Sequence, residues 1–217
     1  MKKLLTESDQ TLIKEAVAAA EQRTSGEIVP YIVPRSGDYE VALWRGAGIC
    51  TLIASTVVLL VWRFYGWDVP IWVQGVTPVL VLMSAGVLGA IIVRVIPALH
   101  RWLAGSERLD RTVNRRAVAA FMEKEIFLTR ERTGILLFVS VFEHRIQVIG
   151  DSGINAQVMQ EDWADVVRAV REGVSKGNLA EGLIAGIDIC GTLLELSGLN
   201  IRPDDENELP DDVSFGT

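Results

Sequence analysis

The sequence predicts an α/β fold: a three-layer α/β/α sandwich with a small mixed sheet, interrupted by a two-helix transmembrane hairpin. Three observations carry this. Gly134–Phe142 is a continuous apolar run, and Arg145–Ile149 behind it alternates apolar with polar. These are the patterns of a strand covered on both faces and of a more exposed partner. Apolar stripes at helical spacing flank both runs. Finally, Gly46–Trp62 and Val69–Val93 carry no charge, with only Arg63 and Asp68 charged between them. A membrane span needs about 20 apolar residues, because the helix rises about 1.5 Å per residue and the hydrocarbon core is about 30 Å thick. The second stretch meets that length outright. The first meets it once Ala42, Leu43, Trp44 and Phe64 are counted.

Thr6 or Ser8 is a suitable N-cap for a first helix, in which Leu12, Ile13, Ala16, Val17 and Ala20 form one stripe. Gly26 is placed to end it as a left-handed cap. Ile28–Val33 reads as a strand, and Pro30 lacks a ladder donor, which predicts an edge position or a bulge. Ser36-Gly37-Asp38 is turn chemistry leading into the hairpin. Beyond the hairpin, Asp110–Leu128 reads as a helix with Val113, Ala117, Ala120 and Phe121 on one side. The two strands of the second β segment meet at a tight turn, Glu143-His144, and Asp151-Ser152-Gly153 ends the pair. Two more helices follow, from about Asn155 to Ser175 and from Leu179 to Leu196. The latter contains Glu181, Asp188 and Glu195, which marks a core helix rather than a third span. Strand, crossover, strand implies a parallel first pair; the tight turn then adds an antiparallel third strand.

The domain organisation predicted is a first part of the sandwich at 1–42, the hairpin at 43–97, the remainder of the sandwich at 98–200 and an acidic disordered tail at 201–217. The tail concentrates Asp204, Asp205, Glu206, Glu208, Asp211 and Asp212. The net charge of -7 and the lack of a basic face argue against nucleic acid, whose phosphates demand one. The mean hydropathy of +0.29 is accounted for by the two spans. Cys50 and Cys190 fall in different environments and suggest neither a disulfide framework nor a metal knuckle. Arginines flank the hairpin on its outer sides, Arg35 and Arg45 before it and Arg94, Arg101, Arg108 and Arg111 after it, against Arg63 alone in the loop. The positive-inside bias therefore places both termini and the soluble domain in the cytoplasm, on the inner or cytoplasmic membrane.

Several segments together resemble the TPM-domain family: Ser25-Gly-Glu-Ile-Val29, Ser36–Tyr39, Arg132–Ser140, Arg145–Gly150, Gly153-Ile154 and Gly177–Ile184. The likeness covers most of the chain except the hairpin and the acidic tail. It implies a compact α/β/α sandwich. It also brings two kinds of role into view, since that family includes a plant domain credited with acid phosphatase activity and photosystem repair, and other members that act as accessory subunits.

Ligands in open α/β sheets favour the carboxyl ends of parallel strands. That edge gathers Ser36, Gly37 and Asp38 after the first strand, and Glu143 and His144 at the tight turn. Asp38, Glu143 and His144 are thus the candidate catalytic residues, and Asp38 and Glu143 the candidate ligands for Ca²⁺ or Mg²⁺, since paired carboxylates suit a hard cation. The same residue types are also what exposed turns collect. There is no phosphate-binding glycine loop, no Ser-His-Asp arrangement and no paired-His motif. The span residues Gly46, Gly48, Gly86 and Gly89 offer close helix contacts, and the spans carry too few polar groups for a transport pathway. The sequence therefore favours a non-enzymatic accessory, assembly or maintenance factor for a membrane complex. Its partners would be the lipid bilayer and an integral membrane protein or a second copy of the chain. A membrane-tethered, divalent-cation-dependent phosphatase is the alternative.

Overall fold

The structure is a computed structural model that describes residues 5–65, 75–201 and 207–216. The loop residues Gly66–Asp68 and the tail residues 202–206 lie outside the described residues, as does the start of the second apolar stretch. The chain forms two compact units, one of residues 1–36 and 110–217 and one of residues 37–109.

The first unit is a mixed α/β layer structure. Helix α1 (Glu7–Glu21) starts at a capping box in which Thr6 and Asp9 each satisfy the other's backbone N–H. Strand β1 (Glu27–Val33) follows, and β2 (Gly134–Ser140) runs parallel to it with Glu27 opposite Gly134 and Val33 opposite Ser140. Strand β3 (Arg145–Gly150) returns antiparallel to β2. The sheet order is β3-β2-β1-β4, where β4 is Ser214–Phe215. Every residue of β1 and β2 is buried, while β3 alternates, matching the continuous and alternating patterns in their sequences.

The two faces of the sheet bury two different cores. Ile28 and Ile32 of β1, with Ile135, Leu137 and Val139 of β2, meet Ile13 and Val17 of α1. The same core takes Val166 and Val170 of α6 (Ala164–Lys176) and Leu183, Ile187 and Leu194 of α7 (Leu179–Leu196). Burial pushes the Cys190 thiol in α7 up to about 12, leaving it a core side chain without thiolate reactivity. The opposite face, with Val29, Tyr31, Leu136 and Phe138, packs on Val113, Ala117 and Ala120. Those three belong to the helix here labelled α5 (Ser106–Glu123). Tyr31 stacks on Phe138 with ring centroids 5.7 Å apart. Helices α6 and α7 approach through glycine. A Cβ on Gly173 would lie 2.4 Å from the Gly182 Cα.

Four expectations need correction. Pro30 lies in an internal strand, not at an edge or a bulge. Glu27 N–H donates to Thr133 O on the β2 side and Ile28 N–H to the Glu21 side chain on the other. By alternation the missing Pro30 N–H faces the β4 side, where pairing begins only at Tyr31. Gly26 is not a left-handed cap, since α1 ends at Glu21 with a right-handed Gln22; its role is spatial, as a Cβ there would lie 2.7 Å from Leu194 Cδ1. The helix expected from Asn155 begins only at Ala164, after a 3-10 turn over Gln160–Trp163 in which Asp162 accepts the Met159 N–H. The described end of the acidic tail is ordered into the fold. Leu209 packs against the Tyr31 face, Lys14 pairs with Asp212 at 2.9 Å, and Gly216 N–H donates to Ile32 O.

The second unit is built on α2 (Glu40–Tyr65) and α3 (Val76–Val95), followed by a short helix α4 (Pro97–Ala104). The α2–α3 contact is glycine-mediated. A Cβ on Gly89 would lie 2.6 Å from Gly46 O and 2.8 Å from Cys50, whereas Gly48 has open space around it. The 25-residue stretch Glu40–Phe64 and the 20-residue Val76–Val95 are long and apolar enough to cross a membrane. No residue of the apolar window of the first is buried, and 11% of that of the second is.

Candidate functional site

The carboxyl ends of β1 and β2 come together because the strands are parallel and in register. The ladder continues past them, with Val141 N–H donating to Val33 O at 3.0 Å and Phe142 N–H to Pro34 O at 2.9 Å. This pairing brings residues 34–36 beside the β2–β3 turn. Arg35 lies over the Phe142 ring at 4.4 Å. Ser36 is half-buried; its N–H donates to Glu143 Oε1 at 2.9 Å, and its hydroxyl lies 2.7 Å from the Ser140 hydroxyl. The Ser140 hydroxyl in turn donates to Glu143 Oε2. Ser140 and Glu143 are both fully buried.

The predicted site residues fall in different settings. Glu143 points inward and joins the two strand ends; its oxygens take a backbone amide and a hydroxyl. His144 follows it in the left-handed region at φ 52, as the tight turn requires. Arg145 pairs with Asp110 at 2.5 Å. Asp38 is exposed and belongs to the second unit. Sequence reasoning brought Ser36 to the same edge as Glu143 but missed Ser140 and the bonds of both serines to that carboxyl. The available signal was the pair of small polar residues closing two apolar strands.

A second polar site, also missed, lies toward the amino end of β1. The buried Glu27 carboxylate accepts the N–H groups of Glu208 and Leu209, each at 3.3 Å. Beside it Glu21 Oε1 accepts the Ile28 N–H at 2.8 Å, and Glu21 Oε2 is buried with no hydrogen-bond partner among the described residues. Burial pushes the Glu21 carboxyl up to about 8, and the charges of Glu27 and Asp211 act in the same direction; the Ile28 N–H opposes them. Glu21, Glu27, Asn207 and Asp211 line a pocket of about 260 Å³. They form two pairs, Glu21 with Glu27 and Asn207 with Asp211, from parts of the chain that local patterns do not connect.

Residues 89–193 match the family model of the TPM domain. A TPM domain is present over this stretch. The matched stretch contains Ser140, Glu143 and His144 and stops short of Ser36 and Asp38, so the first half of the strand-end cluster lies outside it. Comparison with curated proteins finds no match. Among solved structures, the chain is similar to the NMR structure of BA42 protein from the psychrophilic bacterium Bizionia argentinensis. The TM-score is 0.61 at 20% identity, covering 100% of this chain and 98% of the other. At that identity the likeness establishes the fold.

Proposed function

We propose that this chain is a membrane-anchored accessory protein. The hairpin α2–α3 spans the bilayer twice, and the TPM domain serves as a docking surface for an integral membrane partner or a second copy of the chain. The observation that carries the membrane part is exposure. Leu52, Ile53, Leu59, Met83 and Val87 are each at least 60% exposed, with many further apolar neighbours. A core helix buries such residues, and soluble monomers rarely expose contiguous apolar patches beyond a few hundred Å². Hydrocarbon is the solvent that suits this surface. The arginine bias supports a cytoplasmic side for both termini and the TPM domain, at the inner or cytoplasmic membrane.

The accessory part is supported by the strand-end cluster. Glu143 is used internally, holding the two strand ends through Ser36 and Ser140, in the manner of a scaffold element. Crosslinking in native membranes, followed by identification of the adducts, tests it. The expected result is one reproducible integral membrane partner or a homodimer. Recovery of monomer alone contradicts it.

A second reading, a tethered phosphatase dependent on Ca²⁺ or Mg²⁺, has one feature in its favour. The half-buried Ser36 hydroxyl stands at the carboxyl end of β1 and is linked through Ser140 to the Glu143 carboxyl. That chain of hydroxyls is a route for a proton between a surface group and a buried acid. Phosphomonoester hydrolysis with and without each cation, in wild type, Ser36→Ala and Asp38→Ala, tests this reading. Activity that is absent, or unchanged in both variants, removes it.

A further inference from the structure

Helix α4 is apolar on two sides. Its chain leaves the axis of α3 at Ile96, which has φ -103 and ψ 98, and restarts with Pro97 at the first helical position. The inward side, His100, Leu103 and Ala104, is buried. It is tied to the start of α2 twice: Arg45 Nη1 donates to Leu103 O at 2.6 Å, and His100 Nε2 lies 3.2 Å from Tyr39 O. Trp44 therefore stands at the same level as α4. The outward side carries Trp102 at 74% exposure, the junction before the helix carries Val95 and Ile96 at 70% and 46%, and Trp44 is 76% exposed. A helix turned toward water would carry polar groups there.

The residues that adjoin this surface suit a phospholipid headgroup layer. Exposed tryptophan favours that level because its ring is apolar and its N–H is polar. Arg94 and Arg108 are exposed and Arg101 half-buried around α4, with Asp38, Glu40 and Glu107 as the acids of the same unit among the described residues. Long arginine side chains reach phosphate while their stems remain against apolar surface.

We propose that α4 is an in-plane interfacial helix. It lies at the headgroup–acyl boundary of the leaflet next to the ends of the hairpin, with Trp44 and Trp102 seated in lipid and Arg94 and Arg101 at phosphate. The inference rests on the spanning hairpin proposed above, and it adds a lipid-binding role to a segment outside both spans.

The test uses the full chain in phosphatidylcholine–phosphatidylglycerol vesicles, with nitroxide labels at Trp102→Cys, Met83→Cys or Arg171→Cys and both native cysteines replaced by alanine. Met83 reports the span, and exposed Arg171 reports water. The expected result is an aqueous-relaxant accessibility at position 102 severalfold below that at 171, with a depth shallower than that at 83. Position 102 matching 171 while 83 reports hydrocarbon overturns the inference and leaves the spanning hairpin standing. Positions 83 and 102 both matching 171 overturn both. Quenching of tryptophan by lipids brominated near the headgroup, in wild type and Trp102→Phe, gives a label-free check. Equal quenching in the two proteins also contradicts the inference.

Discussion

The Ser140 hydroxyl donates to the carboxyl of Glu143, three residues further on and fully buried, at the turn that joins β2 to β3. The other Glu143 oxygen holds the Ser36 N–H. One side chain therefore fixes the ends of two parallel strands whose connection contains the whole hairpin. Glu143→Ala takes the acceptor from the buried Ser140 hydroxyl and the half-buried Ser36 N–H, at about 1–3 kcal/mol each when no water replaces it. Glu143→Gln keeps an acceptor for Ser36 and can donate to Ser140 Oγ. Thermal unfolding in detergent is expected to show a large loss for the alanine variant and a loss of no more than about 1 kcal/mol for the glutamine.

Glu21 gives a pH dependence of unusual sign. Its folded carboxyl titrates at about 8, above the ordinary 4.5. Between those values the folded chain holds a proton that the unfolded chain has released. Stability therefore falls as pH rises from 4.5 through 8 and levels off above. Glu21→Gln keeps an acceptor for the Ile28 N–H and removes the buried ionisation. The expected result is a flatter pH–stability profile and a gain of a few kcal/mol at pH above 8, read by unfolding at several pH values.

The C-terminal segment is a structural strap. Removing residues 207–217 takes two N–H donors from the buried Glu27 carboxylate, uncovers the Leu209 contact and deletes β4. The truncated protein should lose about 2–4 kcal/mol. Unchanged thermal unfolding would show that the strap is peripheral.

Glycines 48 and 89 make opposite predictions within one hairpin. Gly48→Ala meets open space, so its melting temperature should match wild type. Gly89→Val drives a side chain into the Gly46 carbonyl and Cys50, and overpacking of this kind costs about 1–3 kcal/mol. Equal melting of the two variants would contradict the helix contact.

What could be read from the sequence was governed by the range of the interaction. The parallel and antiparallel pairings followed from chain order, a crossover and then a tight turn. The burial of β2 and β3 followed from their continuous and alternating patterns, because burial on two faces or one writes itself into adjacent residues. The extents of α2 and α7 followed for the same reason. Pro30 and Gly26 were misread because their meaning depends on partners more than 160 residues away, β4 in one case and Leu194 in the other. The acidic residues near the C-terminus resembled solvated chain, yet backbone amides there serve Glu27. Glu143 was identifiable as a polar residue at a strand end. Its inward direction was not, because that depends on Ser36 arriving from across the hairpin insertion.

Membrane topology tests the central claim most directly. In a chain with both native cysteines replaced by alanine, single cysteines at Asp68 and Ser106 are treated with a membrane-impermeant maleimide in intact and permeabilised cells. A hairpin crossing the membrane twice with a cytoplasmic TPM domain predicts labelling of position 68 in intact cells and of position 106 only after permeabilisation. Both positions behaving alike would contradict it.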